Sequence, residues 1–332
     1  MKVAQERGFA LASPDNLART LHPTELMPNR FLRAALLALT LAGCAVAPPV
    51  ETPPAPVMPA APPAARATAP LRIALALGGG AARGFAHVGV IKALESQGIH
   101  ADIIVGTSAG SVVGALYAAG ISGFELQRLA LDMEDGAMSD WSLPDRGIIK
   151  GEALQNYINA ALANRPIEKL KKILAIVATD LQSGEAVVFR TGNTGMAVRA
   201  SSSVPGLFQP VRINGREYVD GGLVSPVPVN VARSLGADVV IAVDISSRPR
   251  FGKTSSSIDV LLQTFNIMSH TLAQHELPQA DVVIRPNVNA VSGADFQAKH
   301  LAILEGERAV SENIAALREK IAQAAALAAR MP

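Results

Sequence analysis

Over residues 71–286 the chain alternates two hydrophobic patterns. Short apolar runs bounded by glycine or aspartate are followed by longer stretches with apolar residues three or four apart. The first run, "LRIALAL" (71–77), ends at Gly78-Gly79-Gly80. A run apolar on both faces predicts a buried parallel strand. Residues 83–97 carry Phe85, Val88, Ile91 and Leu94 at helical spacing, with Gly98 as the stop signal. "ADIIV" (101–105) predicts the next strand, and 109–119 a helix closed by Gly120. Further strands are predicted at 173–179, 186–190, 216–220, 238–244 and 281–286. Further helices are predicted at 150–163, 194–202, 228–235, 258–277 and 300–329. This alternation implies an α/β fold of three layers, α/β/α, with a mainly parallel central sheet. Ligands of such sheets bind at the carboxyl ends of the strands, where both glycine-rich turns fall.

The N-terminal part follows neither pattern. Arg30 and Arg33 precede an apolar stretch, 34–42, too short to cross a bilayer. It ends in Leu41-Ala42-Gly43-Cys44, which resembles the bacterial lipoprotein cleavage box, with Cys44 as the lipidated residue. Residues 1–26 are polar and fit no signal, whereas Met27 opens a compact one, so Met27 is the expected start. The stretch 45–70 is dominated by Pro and Ala and should form an extended tether of about 3 Å per residue.

Composition narrows the classes. The formal net charge of +2 and the lack of a basic run with interleaved aromatics give no case for nucleic acid. Cys44 is the only cysteine, which excludes an intrachain disulfide.

Three short elements carry candidate chemistry. Gly106-Thr107-Ser108-Ala109-Gly110 lies between a predicted strand and helix. There Gly106 and Gly110 relieve crowding, and Ser108 projects at a helix N-terminus where negative charge is favoured. Gly78-Gly79-Gly80-Ala81-Ala82-Arg83-Gly84 lacks both phosphate-loop patterns. Its consecutive N–H groups suit an oxyanion hole, worth on the order of 10²–10³ in rate per donor. Arg83 either adds positive charge near the site or sits solvated in the first helical turn. A serine needs a base. Of the six histidines, His22 precedes the signal, His100 starts a loop, and His270 and His275 fall on a solvated helix face. His87 and His300 have no distinguishing neighbours. Asp220, in "REYVDGGLVSPVP", closes a predicted strand before Gly221-Gly222 and is a candidate carboxylate base.

Together these segments resemble the patatin-like phospholipase family. The likeness rests on "LALGGGAARGFAHVGVIKALE", "GTSAGS", "ASSSVPGLFQPV" and "YVDGGLVSPVPV", in the family's order and spacing, over a motif core at 71–233. The resemblance implies a lipid acyl hydrolase with Ser108 as nucleophile, Asp220 as base, no catalytic histidine, and an oxyanion hole at Gly79, Gly80 and Ala81 beside Arg83. It implies no cofactor and no metal. One departure is Ala81, where the family pattern has glycine. Ala81 keeps its N–H but resists positive φ.

The expected organisation is a signal segment at 1–44, a tether at 45–70, an acyl hydrolase domain at 71–290 and a helical segment at 291–332. The expected substrate is a phospholipid or lysophospholipid. Alternatives are a general carboxylesterase or thioesterase, or a catalytically idle lipid-binding envelope protein. The expected location is the periplasmic face of the outer membrane, through a lipid anchor at the membrane surface. An ionised Asp is a weak base at pH 7, so the site must raise its pKa by excluding water. Residues 133–154, with Trp141, either cover such a cleft or anchor a loop in the core. The sequence leaves the oligomeric state open.

Overall fold

The computed structural model describes residues 70–133, 147, 149–246 and 254–330. The expected signal, Met27, Cys44, the tether to residue 69 and Trp141 lie outside the described residues.

The strands are β1 (Ile73–Leu77), β2 (Ile103–Thr107), β3 (Ile173–Asp180), β4 (Ala186–Phe189), β5 (Val211–Ile213), β6 (Arg216–Asp220), β7 (Val239–Val243) and β8 (Val282–Ile284). The helices are α1 (Phe85–Ser96), α2 (Ala109–Ala118), α3 (Gly123–Asp132), α4 (Glu152–Ala161), α5 (Thr194–Ser201), α6 (Val229–Ser234), α7 (Ser257–Glu276) and α8 (Lys299–Ala328). The pattern reading does not predict α3 or β5. The run in β5 is too short to register, although Asn214-Gly215 after it is a hairpin signal. Both residues have positive φ, 51° and 83°, as a type I′ turn requires.

All strands join one sheet, in the order β5-β6-β3-β2-β1-β7-β8, with β4 also on β3. The pairs β3-β2, β2-β1, β1-β7 and β7-β8 are parallel. The β3-β4, β3-β6 and β5-β6 pairs are antiparallel.

Helices cover both faces, which confirms the three-layer α/β/α architecture. The two faces differ in side-chain size. Ile73, Leu75 and Leu77 of β1 join Ile104, Ile176 and Ile241 in a core with α1, α2 and α8. Ala74 and Ala76 face the other way, with Ala175 and Ala242, towards Val229 and Ala232 of α6 and Ala273 of α7. Small residues on that face let its helices lie close to the sheet. In α8, Ala302, Ile303, Ala309, Val310 and Leu317 are buried in the first core.

The register at β3 sets the site. Ile176 and Val177 pair with both β2 and β4, while Ala178 and Thr179 pair with both β4 and β6. A strand has two edges, so β2 and β6 share the one opposite β4. They run in opposite directions and meet end to end. Thr107 is opposite Val177, and Asp220 is opposite Ala178.

Candidate active site

Ser108 follows the last residue of β2 with φ 52° and ψ −123°. Non-glycine residues adopt such angles only where the surroundings impose them, at a cost of about 1–3 kcal/mol. Here the close approach of β1 imposes the turn. A Cβ on Gly110 would stand 2.0 Å from the Leu77 carbonyl oxygen, so α2 can start there only with glycine. The backbone of Ser108 is held on both sides. Its N–H donates to Oγ of Ser201 (2.8 Å), which itself donates to the Val177 carbonyl (2.6 Å). Its carbonyl accepts from Oγ of Ser111 (2.6 Å). The Ser108 side chain lies in a site that leaves the residue 9% exposed.

Asp220 is fully buried at the end of β6. Its N–H donates to the Ser203 carbonyl (2.9 Å), and its carbonyl accepts from Oγ1 of Thr179 (2.8 Å). Oδ1 accepts the N–H of Gly222 (2.7 Å). Oδ2 has no aligned hydrogen-bond donor among the described residues. The polar side chain beside the carboxylate is Ser108, near enough to favour its charged form. Burial outweighs that effect and the Gly222 N–H, and pushes the carboxyl up to about 6. The protein's own packing thus supplies the exclusion of water that a carboxylate base requires. Gly221 makes the junction tight, since a Cβ there would stand 2.3 Å from the Val177 carbonyl oxygen and 3.1 Å from Cγ2 of Thr107.

The glycine loop divides into pinned and free peptide groups. The N–H of Gly79 donates to the Pro226 carbonyl (3.0 Å), so Gly79, expected in the oxyanion hole, has its donor committed elsewhere. In the same peptide unit, the Gly78 carbonyl accepts from Nε2 of His87 (2.8 Å). Gly80 and Ala81 keep N–H groups that no described acceptor takes. Arg83 is half-buried. Its guanidinium is largely desolvated, which lowers its pKa against the raising influence of Asp244. Its Nε and its N–H both donate to the Gly80 carbonyl (3.1 and 3.2 Å). Because C=O and N–H of a trans peptide point in opposite directions, this grip aims the Ala81 N–H away from Arg83. Ala81 adopts φ 52°, the left-handed conformation that glycine would take without strain. The loop lies against the serine: a Cβ on Gly79 would stand 3.3 Å from the Ser108 Cβ.

His87 is the residue that sequence reasoning passed over. It is buried, and desolvation lowers its pKa to about 4, so it is neutral and serves as a donor to the loop. Among the described residues no histidine hydrogen-bonds Ser108 or Asp220. His270 contacts Gln274 (3.0 Å) and borders a cavity of about 600 Å³ that neither Ser108 nor Asp220 lines. His100, His275 and His300 are exposed. No group of three metal-ligating side chains converges among the described residues.

A family model described as Patatin-like phospholipase matches residues 75–233. An uncharacterized NTE family protein of Mycobacterium tuberculosis is 37% identical over 182 residues, covering 53% of this chain and 49% of that protein. Patatin-like phospholipase domain-containing protein 6 of Mus musculus is 36% identical over 184 residues, covering 53% of this chain and 14% of that protein. The chain thus spans about half the length, or less, of these curated relatives. The crystal structure of VipD from Legionella pneumophila aligns with a TM-score of 0.49 at 14% identity, over 74% of this chain and 67% of that one.

Proposed function

The chain belongs to the patatin-like phospholipase family through residues 75–233, and from that premise we propose that it is a lipid acyl hydrolase working through Ser108 and Asp220. The observation that carries this reading is the junction of β2 and β6 on one edge of β3, which sets a strained serine beside a buried carboxylate of raised pKa.

In this reading Ser108 Oγ attacks the ester carbonyl carbon as its proton passes to Asp220. The carbonyl oxygen becomes an oxyanion facing the free N–H groups of Gly80 and Ala81. Collapse breaks the ester C–O bond, and Asp220 returns the proton to the departing alcohol. The acyl group remains on Ser108. Water then attacks the acyl-enzyme, gives its proton to Asp220, and releases the fatty acid as Ser108 recovers its proton. A pKa near 6 suits a group that must take and return a proton near neutrality.

The substrate class is a phospholipid or lysophospholipid. Supporting this, Phe265 of α7 meets the turn after Asp220, since a Cβ on Gly222 would stand 2.9 Å from its ring. The same helix exposes Val260, Leu261, Ile267 and Met268 to solvent, an apolar rim suited to acyl chains. Placement at the membrane follows from Leu41-Ala42-Gly43-Cys44 and the Pro/Ala tether, which read as a lipid anchor with a spacer. Ala45 after that cysteine is not the Asp that goes with inner-membrane retention in resembling lipoproteins. No helix of the described residues is long and apolar enough to cross a membrane.

The test is fatty acid release from a panel of phospholipids, lysophospholipids and short-chain esters by the full chain and by Ser108→Ala. Release that Ser108→Ala abolishes supports the reading. Release unchanged in Ser108→Ala overturns it, as does hydrolysis confined to non-lipid esters.

A further inference from the structure

We propose that Glu276, in the last turn of α7, is a positioning residue for the acyl-transfer site. Its carboxylate holds Ser225–Val227 in the one shape that braces the Ser108 turn and the glycine loop together. The proposal rests on the reading of Ser108 as the nucleophile, and Glu276 lies outside the segment that the family model matches.

Glu276 is 8% exposed and no described cation pairs with it. A buried carboxylate without a cation is costly, and its environment must explain why one is present. Its two oxygens accept from different groups of one short segment. Oε1 takes the hydroxyl of Ser225, and Oε2 takes the N–H of Val227 (3.1 Å). Two carbonyls of that segment serve the site. The Ser225 carbonyl accepts from Oγ1 of Thr107 (2.8 Å), the residue before Ser108. The Pro226 carbonyl accepts the N–H of Gly79 (3.0 Å), the residue before the first free donor of the loop. Two chains of hydrogen bonds therefore start at Glu276, one ending next to the nucleophile and the other next to the oxyanion donors.

The rest of α7 grips the same stretch. Ser269 donates its hydroxyl to the Gly222 carbonyl (2.9 Å), and Phe265 packs on Gly222. Phe265, Ser269 and Glu276 share one helix face, so α7 holds the segment after Asp220 at both ends. Burial pushes the Glu276 carboxyl up to about 7 against the pull of its two donors. An apolar side chain would fill this space without that cost but would leave the Ser225 hydroxyl and the Val227 N–H unpaired. Glu276 hydrogen-bonds Ser225 and Val227 rather than Ser108 or Asp220, so it acts through backbone geometry. Displacing reacting groups by about 1 Å costs on the order of 10²-fold in rate.

The experiment uses the full chain and reads kcat and KM for a soluble short-chain p-nitrophenyl ester, with the rate at which a fluorophosphonate modifies Ser108. Glu276→Ala is expected to lower kcat and the modification rate about 10- to 100-fold, with KM within threefold. Glu276→Gln is expected to recover to within about threefold of the natural chain, because its amide can accept from Val227 and donate to Oγ of Ser225. Thr107→Val cuts one bracing contact without touching Glu276, so its loss and that of Glu276→Ala should fall short of additive when combined. A folded Glu276→Ala within twofold of the natural chain overturns the proposal. So do equal losses in the Gln and Ala variants, or fully additive losses with Thr107→Val. If Glu276→Ala does not fold, Ser225→Ala takes its place in the cycle with Thr107→Val, where sub-additive losses support the proposal and absent or additive losses overturn it. Should the fluorophosphonate fail to modify Ser108 in the natural chain, the nucleophile reading fails, whatever the Glu276 variants do.

Discussion

Thr107 and Asp220 end two different strands yet occupy successive positions along one edge of β3, opposite Val177 and Ala178. A parallel strand and an antiparallel strand thus meet end to end, and each delivers a functional side chain at the junction. Main-chain pairing on both edges of β3 holds the ends of these two strands, and with them Ser108 and Asp220, at the junction.

Asp220→Asn separates catalysis from stability. Loss of the base should cost about 10²–10⁴ in kcat/KM, and in the natural chain kcat/KM should rise with pH through about 6, where Asp220 ionises. Stability should move the other way. The carboxyl titrates near 6 when folded and near 3.8 when free, so between these values the folded chain keeps a proton that the unfolded chain has lost. Stability then falls as pH rises from about 4 to about 6, by on the order of 3 kcal/mol, and stays low above that. Asparagine has no such cost. Melting curves should show Asp220→Asn more stable than the natural chain at pH 8, with the gap closing below about pH 4.

Ser201 holds the Ser108 N–H, and removing its hydroxyl leaves two buried backbone groups, the Ser108 N–H and the Val177 carbonyl, without that partner. Ser201→Ala should cost about 1–3 kcal/mol in denaturant unfolding. It should also lower kcat about tenfold, because the nucleophile turn loses one of its two anchors. An unchanged unfolding midpoint would show that the clamp is not load-carrying in solution.

Ala81 occupies a left-handed conformation at φ 52°. That conformation costs an L-residue about 1–2 kcal/mol, whereas glycine adds back about 0.4–1 kcal/mol of unfolded-chain freedom. Ala81→Gly should therefore raise stability by up to about 1.6 kcal/mol, with activity within a few-fold because the N–H remains. Thermal melting and ester kinetics on one preparation check both parts.

Cys44 lies outside the described residues, and its role rests on sequence. Mass spectrometry of the mature N-terminus from native membranes should find a chain beginning at a lipid-modified Cys44, and Cys44→Ala should leave an uncleaved precursor. A single myristoyl-length chain binds membranes only marginally, so stable attachment implies several. An unmodified cysteine would contradict the anchor.

Legibility in the sequence followed the range of the interactions. The apolar runs of β1, β2, β3 and β7 and the two glycine-rich turns declare themselves locally, so Ser108 and the glycine loop were readable from pattern. Asp220 alone reads as a turn carboxylate; beside the two glycine-rich turns it is a candidate base, and family resemblance pairs it with Ser108. The struts were not readable. His87 looks like one more position in an amphipathic helix, Ser201 like a polar residue near the end of a predicted helix, and Glu276 like a solvated charge at a helix end. Their roles are set by backbone groups 9, 24 or 93, and 49 positions away, which only tertiary register supplies. The Gly79 donor was misassigned for the same reason, since its acceptor is Pro226.

The most direct measurement is peptide-level mass spectrometry of the full chain after treatment with a fluorophosphonate. The expected result is a single phosphonyl adduct on Ser108, formed with loss of fluoride and at least about 10²-fold more slowly in Asp220→Asn. His270→Ala, His275→Ala and His300→Ala should each be labelled within a few-fold of the natural rate. A natural chain left unlabelled at Ser108, or a folded histidine variant as slow as Asp220→Asn, would contradict the Ser108–Asp220 site.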